Sequence, residues 1–215
     1  MATRFLFTKK VKTLGFNLQL KHKGIWLANA DASKITKAVA RSKAMLSLAL
    51  ARCGAYADSD ARRFAATYFL TPGSGPANDE WSRIKAILQL TYQGIGNDVT
   101  LKLGAGSGTL GYVAHSTTDN PAESIGLDSD GDMIAQKGAI HISKKKLLGN
   151  AELLAVTFIH EATHKYANTF DHGNSGYRKS DDSDWWTPGL TKNQALNNAD
   201  SYAYFTYRVG EAHGL

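Results

Sequence analysis

His160-Glu161-Ala162-Thr163-His164 places two imidazoles and a carboxylate in the H-E-x-x-H spacing. On a helix, residues four apart share a face, so both histidines can point at one ion. Glu161 follows the first histidine and sits at the edge of that face, where it can hold a water on the metal. Zinc accepts neutral imidazole nitrogens, keeps one position open and lowers the pKa of its bound water to about 7. A neighbouring carboxylate can then take that water's proton. The competing explanation is a helix that carries these residues for solubility or packing. The preceding turns, with Leu153, Leu154, Val156, Phe158 and Ile159, are too apolar for a solvated helix. Histidines on a buried helix need partners, and a metal ion supplies them.

The elements that must position this pair can be read along the chain. With 215 residues, 43% hydrophobic and 20% charged, the composition is that of a globular protein with a sizeable core. Cys53 is the lone cysteine, which rules out an internal disulfide. No apolar run reaches membrane-spanning length. The net charge of +6 gathers early, at Arg4, Lys9, Lys10, Lys12, Lys21 and Lys23. No nucleic-acid motif accompanies it, so it reads as a solvated face and no nucleic-acid partner is expected.

Alternation at Phe16–Leu20 suggests a strand or hairpin. Three helices follow: one capped by Asp31 or Ser33 and running to about Arg52, one over 59–70, and one from Asn78 to Tyr92. Val99–Leu103 and Leu110–His115 read as strands flanking the flexible turn Gly104–Gly108. Asp128–Asp132 resembles a calcium loop but lacks the glycine at the sixth place and the acid at the twelfth, so an acidic turn is expected. Gly138–Ser143 is a strand, placed by analogy with zinc peptidases at the sheet edge over the cleft, where substrate could add as a further strand. His141 on it reads as cleft lining or core. The motif helix is expected over 151–168, a structureless loop over 169–190, and a final helix opened by the capping box Thr191–Gln194.

A catalytic zinc wants a third protein ligand. Downstream candidates are Asp171, His172, Asp181, Asp182, Asp184, Asp200, Glu211 and His213. The metzincin pattern fails, with Phe170 where its third histidine belongs and Ala167 where it needs glycine. A gluzincin glutamate has only Glu211 to fill it.

The motif, followed by Thr169-Phe-Asp171, a tyrosine shortly after, and Asn198-Ala-Asp-Ser-Tyr202, resembles the aspzincins, the deuterolysin-type and lysine-specific metalloendopeptidases, over residues 138–206. The resemblance implies an α+β, zincin-like fold. It would have a helical N-terminal half, a small mixed sheet with an edge strand over the cleft, the active helix and a C-terminal helix. The division expected is a mostly helical part, 1–95, and a catalytic part, 96–215, in one continuous unit.

The resemblance also implies roles. Asp171 is the third zinc ligand beside His160 and His164, although Asn168 stands where the family has glycine. Tyr177 is the candidate oxyanion donor, lying six residues after Asp171 where the family tyrosine lies three. Asp200 lines the pocket for the residue after the scissile bond. It is also the alternative ligand, or else an acceptor for a ligating imidazole. Lysine-specific members carry a second acid one turn beyond, where this chain has Ala203.

The expected function is therefore a zinc metalloendopeptidase with Glu161 as general base, acting on a protein or peptide substrate. Two rivals stay open: a zinc amidase acting on cell-wall peptides, and a non-catalytic zinc-containing binding module. The N-terminal apolar run is too short for a Sec signal peptide. The expectation is a chain cytoplasmic at synthesis and delivered by a specialised bacterial secretion system as an effector or toxin, with an immunity protein as partner.

Overall fold

The computed structural model describes residues 7–13, 16–22, 28–54, 57–104, 109–113, 138–177 and 190–215. The acidic turn 128–132, the turn residues 105–108, His115 and the candidate ligands Asp181, Asp182 and Asp184 lie outside them.

A hairpin of β1 (Phe7–Thr13) and β2 (Phe16–His22) comes first. The helices α1 (Asn29–Ala51), α2 (Ser59–Phe69) and α3 (Asn78–Gly96) follow, then β3 (Asp98–Leu103), β4 (Gly111–Val113) and β5 (Ile140–Ile142). The remainder is helical: α4 (Lys144–Leu147), α5 (Ala151–Ala167), a 3₁₀ turn (Gly173–Gly176), α6 (Lys192–Ala195) and α7 (Ala199–Ala212). The strands form one mixed sheet in the order β1-β2-β3-β5-β4. β3 runs parallel to both β2 and β5, and the outer strands β1 and β4 are antiparallel to their neighbours. The sheet thus draws strands from both sides of residue 96. Among the described residues, no helix is long and apolar enough to cross a membrane.

Period-two alternation sorts the sheet's two faces. Leu18, Leu20, Val99, Leu101, Ile140, Ile142 and Val113 are buried, while Lys10, Gln19, Lys21, Thr100 and Lys102 stay at least partly exposed. α5 lies centrally, packed against β4, β5, α1, α3 and α7. Every residue from Leu154 to His164 is buried, which accounts for an apolar pattern with no polar face to break it. The burial inferred for this helix from its sequence is what the fold shows.

Several local expectations change. α1 begins at Asn29, so neither Asp31 nor Ser33 caps it; Asp31 instead pairs with Lys144 at 2.7 Å. α3 runs a turn past Tyr92. Thr191 and Gln194 do form their reciprocal cap, but the helix they open ends at Ala195 and α7 starts afresh at Ala199. The edge position belongs to β4. β5, placed there from sequence, is interior and buried at all three residues because β4 returns antiparallel along its outer side.

The approach of α3 to α5 is set at Gly94, where an added Cβ would lie 2.1 Å from Cγ of Tyr166. Gly94→Ala should force the two helices apart or turn Tyr166 out. The expected cost is about 1–3 kcal/mol, read as a lower denaturation midpoint in urea with an unchanged slope.

Candidate metal centre

Asn150 caps α5, its side-chain oxygen accepting from the N–H of Leu153 at 2.9 Å. Two and a half turns later, His160, Glu161 and His164 are 7%, 4% and 9% exposed. The Nε2 atoms of His160 and His164 lie 3.0 Å apart with their rings at 86°. Both outer nitrogens are engaged. His160 Nδ1 lies 2.6 Å from Asp200 Oδ1, and His164 Nδ1 donates to the Thr169 carbonyl at 2.7 Å. With each Nδ1–H donating, an Nε2 that gives up its proton to a metal ion offers its lone pair at the same point as its neighbour.

Asp171 Oδ1 completes the triangle, 3.4 Å from His160 Nε2 and 3.3 Å from His164 Nε2. Ligands about 2.0–2.1 Å from a tetrahedral zinc sit about 3.3 Å from each other, so the three atoms fit a zinc ion. Glu161 is also within reach of the histidine pair, in a group whose ligand atoms lie within 4.8 Å of one another. Asp171 is the better third donor because its oxygen is nearly equidistant from both nitrogens. That leaves Glu161 beside the ion position, with Oε2 buried and unpartnered among the described residues.

The chain brings Asp171 here by a sharp reversal. α5 ends at Asn168, whose φ of 50° and ψ of 42° are left-handed, a conformation asparagine tolerates where most residues do not. An asparagine therefore meets here the backbone need for which glycine was expected. The hydroxyls of Thr163 and Thr169 then meet at 2.8 Å, and Thr163 also donates to the His160 carbonyl. Phe170 pairs with the segment before α7 as a parallel bridge: its N–H donates to Asn197 O at 2.8 Å, and Ala199 N–H donates to Phe170 O at 3.0 Å. One bridge therefore places Asp171 against both histidines and Asp200 against His160.

Each polar residue of Asn198-Ala-Asp-Ser-Tyr202 is used. Asn198 Nδ2 donates to Gly176 O and Ser201 Oγ, Asp200 meets His160, and Tyr202 donates to Leu196 O at 2.8 Å. The loop expected to be structureless is ordered at its start, because Asn198 holds the 3₁₀ turn and the turn carries Tyr177 back. The Tyr177 hydroxyl donates to Asp171 Oδ2 at 2.6 Å and its ring lies over His160, centroids 6.1 Å apart. Of the other candidates, Glu211 is held by Tyr207 and Arg208, and His213 pairs with Asp58. His172 does not line the cleft.

These groups open into a cavity of about 700 Å³. Leu110–Val113, Leu153, Val156 and Tyr204 are among the residues that line it. Ala203 is fully buried, so Tyr204 faces the cleft in its place. The sequence reading missed Gly111, the Thr169 carbonyl and Tyr204. A three-residue edge strand and a backbone acceptor leave little local signal. His141 lies buried behind Tyr112, rings stacked at 4.1 Å.

Burial opposes charge on His160, but Asp200, then Glu161 and Asp171, outweigh it and push its pKa from 6.5 to about 10 without metal. For Asp171, burial is overcome by the hydrogen bond to His164 and by the imidazole charges, holding its carboxyl well below the usual range. Burial pushes Glu161 up, against the pull of both histidines. Burial and the bond to Asp171 push the Tyr177 phenol up, so it keeps its proton.

No family model matches the sequence, and no curated protein matches it. Among solved structures, the fold is similar to that of a zinc peptidase from Grifola frondosa, with 15% sequence identity and a TM-score of 0.57 over 84% of this chain and 96% of that one. The chain has an α+β, zincin-like fold.

Three outcomes follow for the centre. Asp171→Ala should abolish stoichiometric zinc binding, whereas Asp200→Ala should keep zinc with affinity weakened about 10–100-fold; metal analysis after dialysis distinguishes them. The raised His160 pKa favours folding fully below pH 6.5 and ceases to do so as pH passes about 10. Metal-free protein should therefore lose stability across that window in chelator-treated melts. Zinc must displace the same proton, so chelator competition should show affinity rising about tenfold per pH unit below that value.

Proposed function

We propose that the protein is a zinc-dependent metalloendopeptidase that hydrolyses peptide bonds in an extended polypeptide. The observation that carries this reading is the triangle of His160 Nε2, His164 Nε2 and Asp171 Oδ1 at 3.0–3.4 Å, with the Glu161 carboxylate buried beside it in an open cleft. His160, His164 and Asp171 would hold the ion. Zinc supplies Lewis acidity, polarising the scissile carbonyl and making water acidic enough to deprotonate near neutral pH.

The chain's own groups carry the remaining steps. Glu161 accepts the proton of the attacking water on a carboxylate oxygen and later delivers it to the leaving amine. Its burial strengthens that role by raising its proton affinity. Asp200 holds His160 in one tautomer and orientation. Tyr177 sits at the cleft rim with its proton retained, and a short swing of its hydroxyl from Asp171 would let it donate to the developing oxyanion. The β4 edge offers backbone groups to which an extended substrate can add. The zinc peptidase from Grifola frondosa supports the reading through its shared fold.

The test compares wild type with Glu161→Gln on an unstructured protein, zinc content being measured in both. The variant should retain zinc and lose at least about 10²-fold in kcat, with little change in KM. Equal cleavage by the two would refute Glu161 as the base. Hydrolysis of cell-wall peptides alone would point to an amidase, and no turnover by zinc-loaded wild type to a binding module.

A further inference from the structure

Gly111 begins the edge strand β4 directly against the carboxylate of Glu161. A Cβ at Gly111 would stand 2.7 Å from Glu161 Oε1, 3.0 Å from Glu161 Cγ and 3.0 Å from the His141 carbonyl oxygen. Gly111 is not among the residues with positive φ, so its backbone suits any L-residue. What a side chain would lack at this position is room.

Neither neighbour can readily supply that room. β4 is tied to β5 through the Gly111–Ile142 register and through the Ser143 N–H, which donates to Leu110 O at 2.7 Å. Val113, two residues on, is buried in the core. On the other side, α5 is enclosed over the whole stretch that bears the motif. Only the Glu161 side chain is free to yield. It would have to retreat by about 0.7 Å to restore an ordinary contact of 3.4 Å. A general base works within about 2.6–3.2 Å of the proton it takes, and a 1 Å misplacement costs about 10²-fold in rate.

We propose that Gly111 is a positioning residue for Glu161: its missing side chain is the slot in which the carboxylate lies, and any larger residue there displaces the general base. The catalytic part of this proposal rests on Glu161 being that base; the spatial part does not.

The experiment therefore has two readouts. The first is thermal denaturation in chelator of wild type, Gly111→Ala, Glu161→Ala and the double variant. Gly111→Ala should lower the midpoint by several degrees in the wild-type background and by clearly less when Glu161 is already truncated, when only the 3.0 Å contact with the His141 carbonyl remains. Equal drops in both backgrounds would locate the strain at the His141 carbonyl instead, and no drop in either would mean the slot is not filled; both overturn the proposal.

The second readout is turnover by zinc-loaded enzyme of verified metal content. Gly111→Ala should lower kcat about 10²-fold at unchanged KM. Glu161→Asp, one methylene shorter, lowers kcat by itself, and adding Gly111→Ala to it should cause no further loss. Independent, multiplying losses would overturn the proposal. If wild type cleaves nothing, the peptidase reading fails, while the melting cycle still decides whether Gly111 makes room for Glu161.

Discussion

Two imidazole nitrogens held 3.0 Å apart inside a buried helix are the constraint on which the site depends. Two bare lone pairs at that distance would repel, so the arrangement needs both rings locked from outside and either a proton or a metal ion between them. The locks are one carboxylate, Asp200, and one backbone carbonyl, at Thr169. They come from different places, the first turn of α7 and the segment leaving α5. A single parallel bridge, Phe170 to Asn198, fastens those two places together. The bridge thus sets both the orientation of the histidines and the approach of Asp171.

Burial of α5 follows from the same need. Coulombic interactions and hydrogen bonds among His160, Asp171, Asp200 and Glu161 are strong only where water is largely excluded. The sheet covers one side of the helix, and α1, α3 and α7 cover the others. Close packing at Gly94 and Gly111 lets an aromatic ring and a carboxylate sit where a methyl group would not fit. Among the described residues, β4 borders the cavity at Gly111–Val113.

The polar residues downstream of the histidine pair acquire physical reasons that the motif alone does not state. Asn198 secures the turn that returns Tyr177, and Tyr202 closes the short connection between α6 and α7. The six-residue spacing from Asp171 to Tyr177 is taken up by the 3₁₀ turn, so the phenol still returns to the aspartate. Ala203 packs into the core, and Tyr204 adds an aromatic ring to the cavity lining.

Local periodicity made the histidine pair, the burial of its helix and the alternating strands readable from sequence, because helix and strand geometry set which residues share a face within a few positions. The family resemblance also brought Asp171, Tyr177 and Asp200 into view, but it left Asp200 open between ligand, pocket wall and imidazole partner. Tertiary structure placed it on the outer nitrogen of His160 and also in the cavity lining, since both depend on how α7 crosses α5. The strand order, with β4 rather than β5 at the edge, and the slot at Gly111 were likewise decided only in three dimensions. Each is a contact between segments far apart in the chain, and no local pattern of residues encodes such a distance.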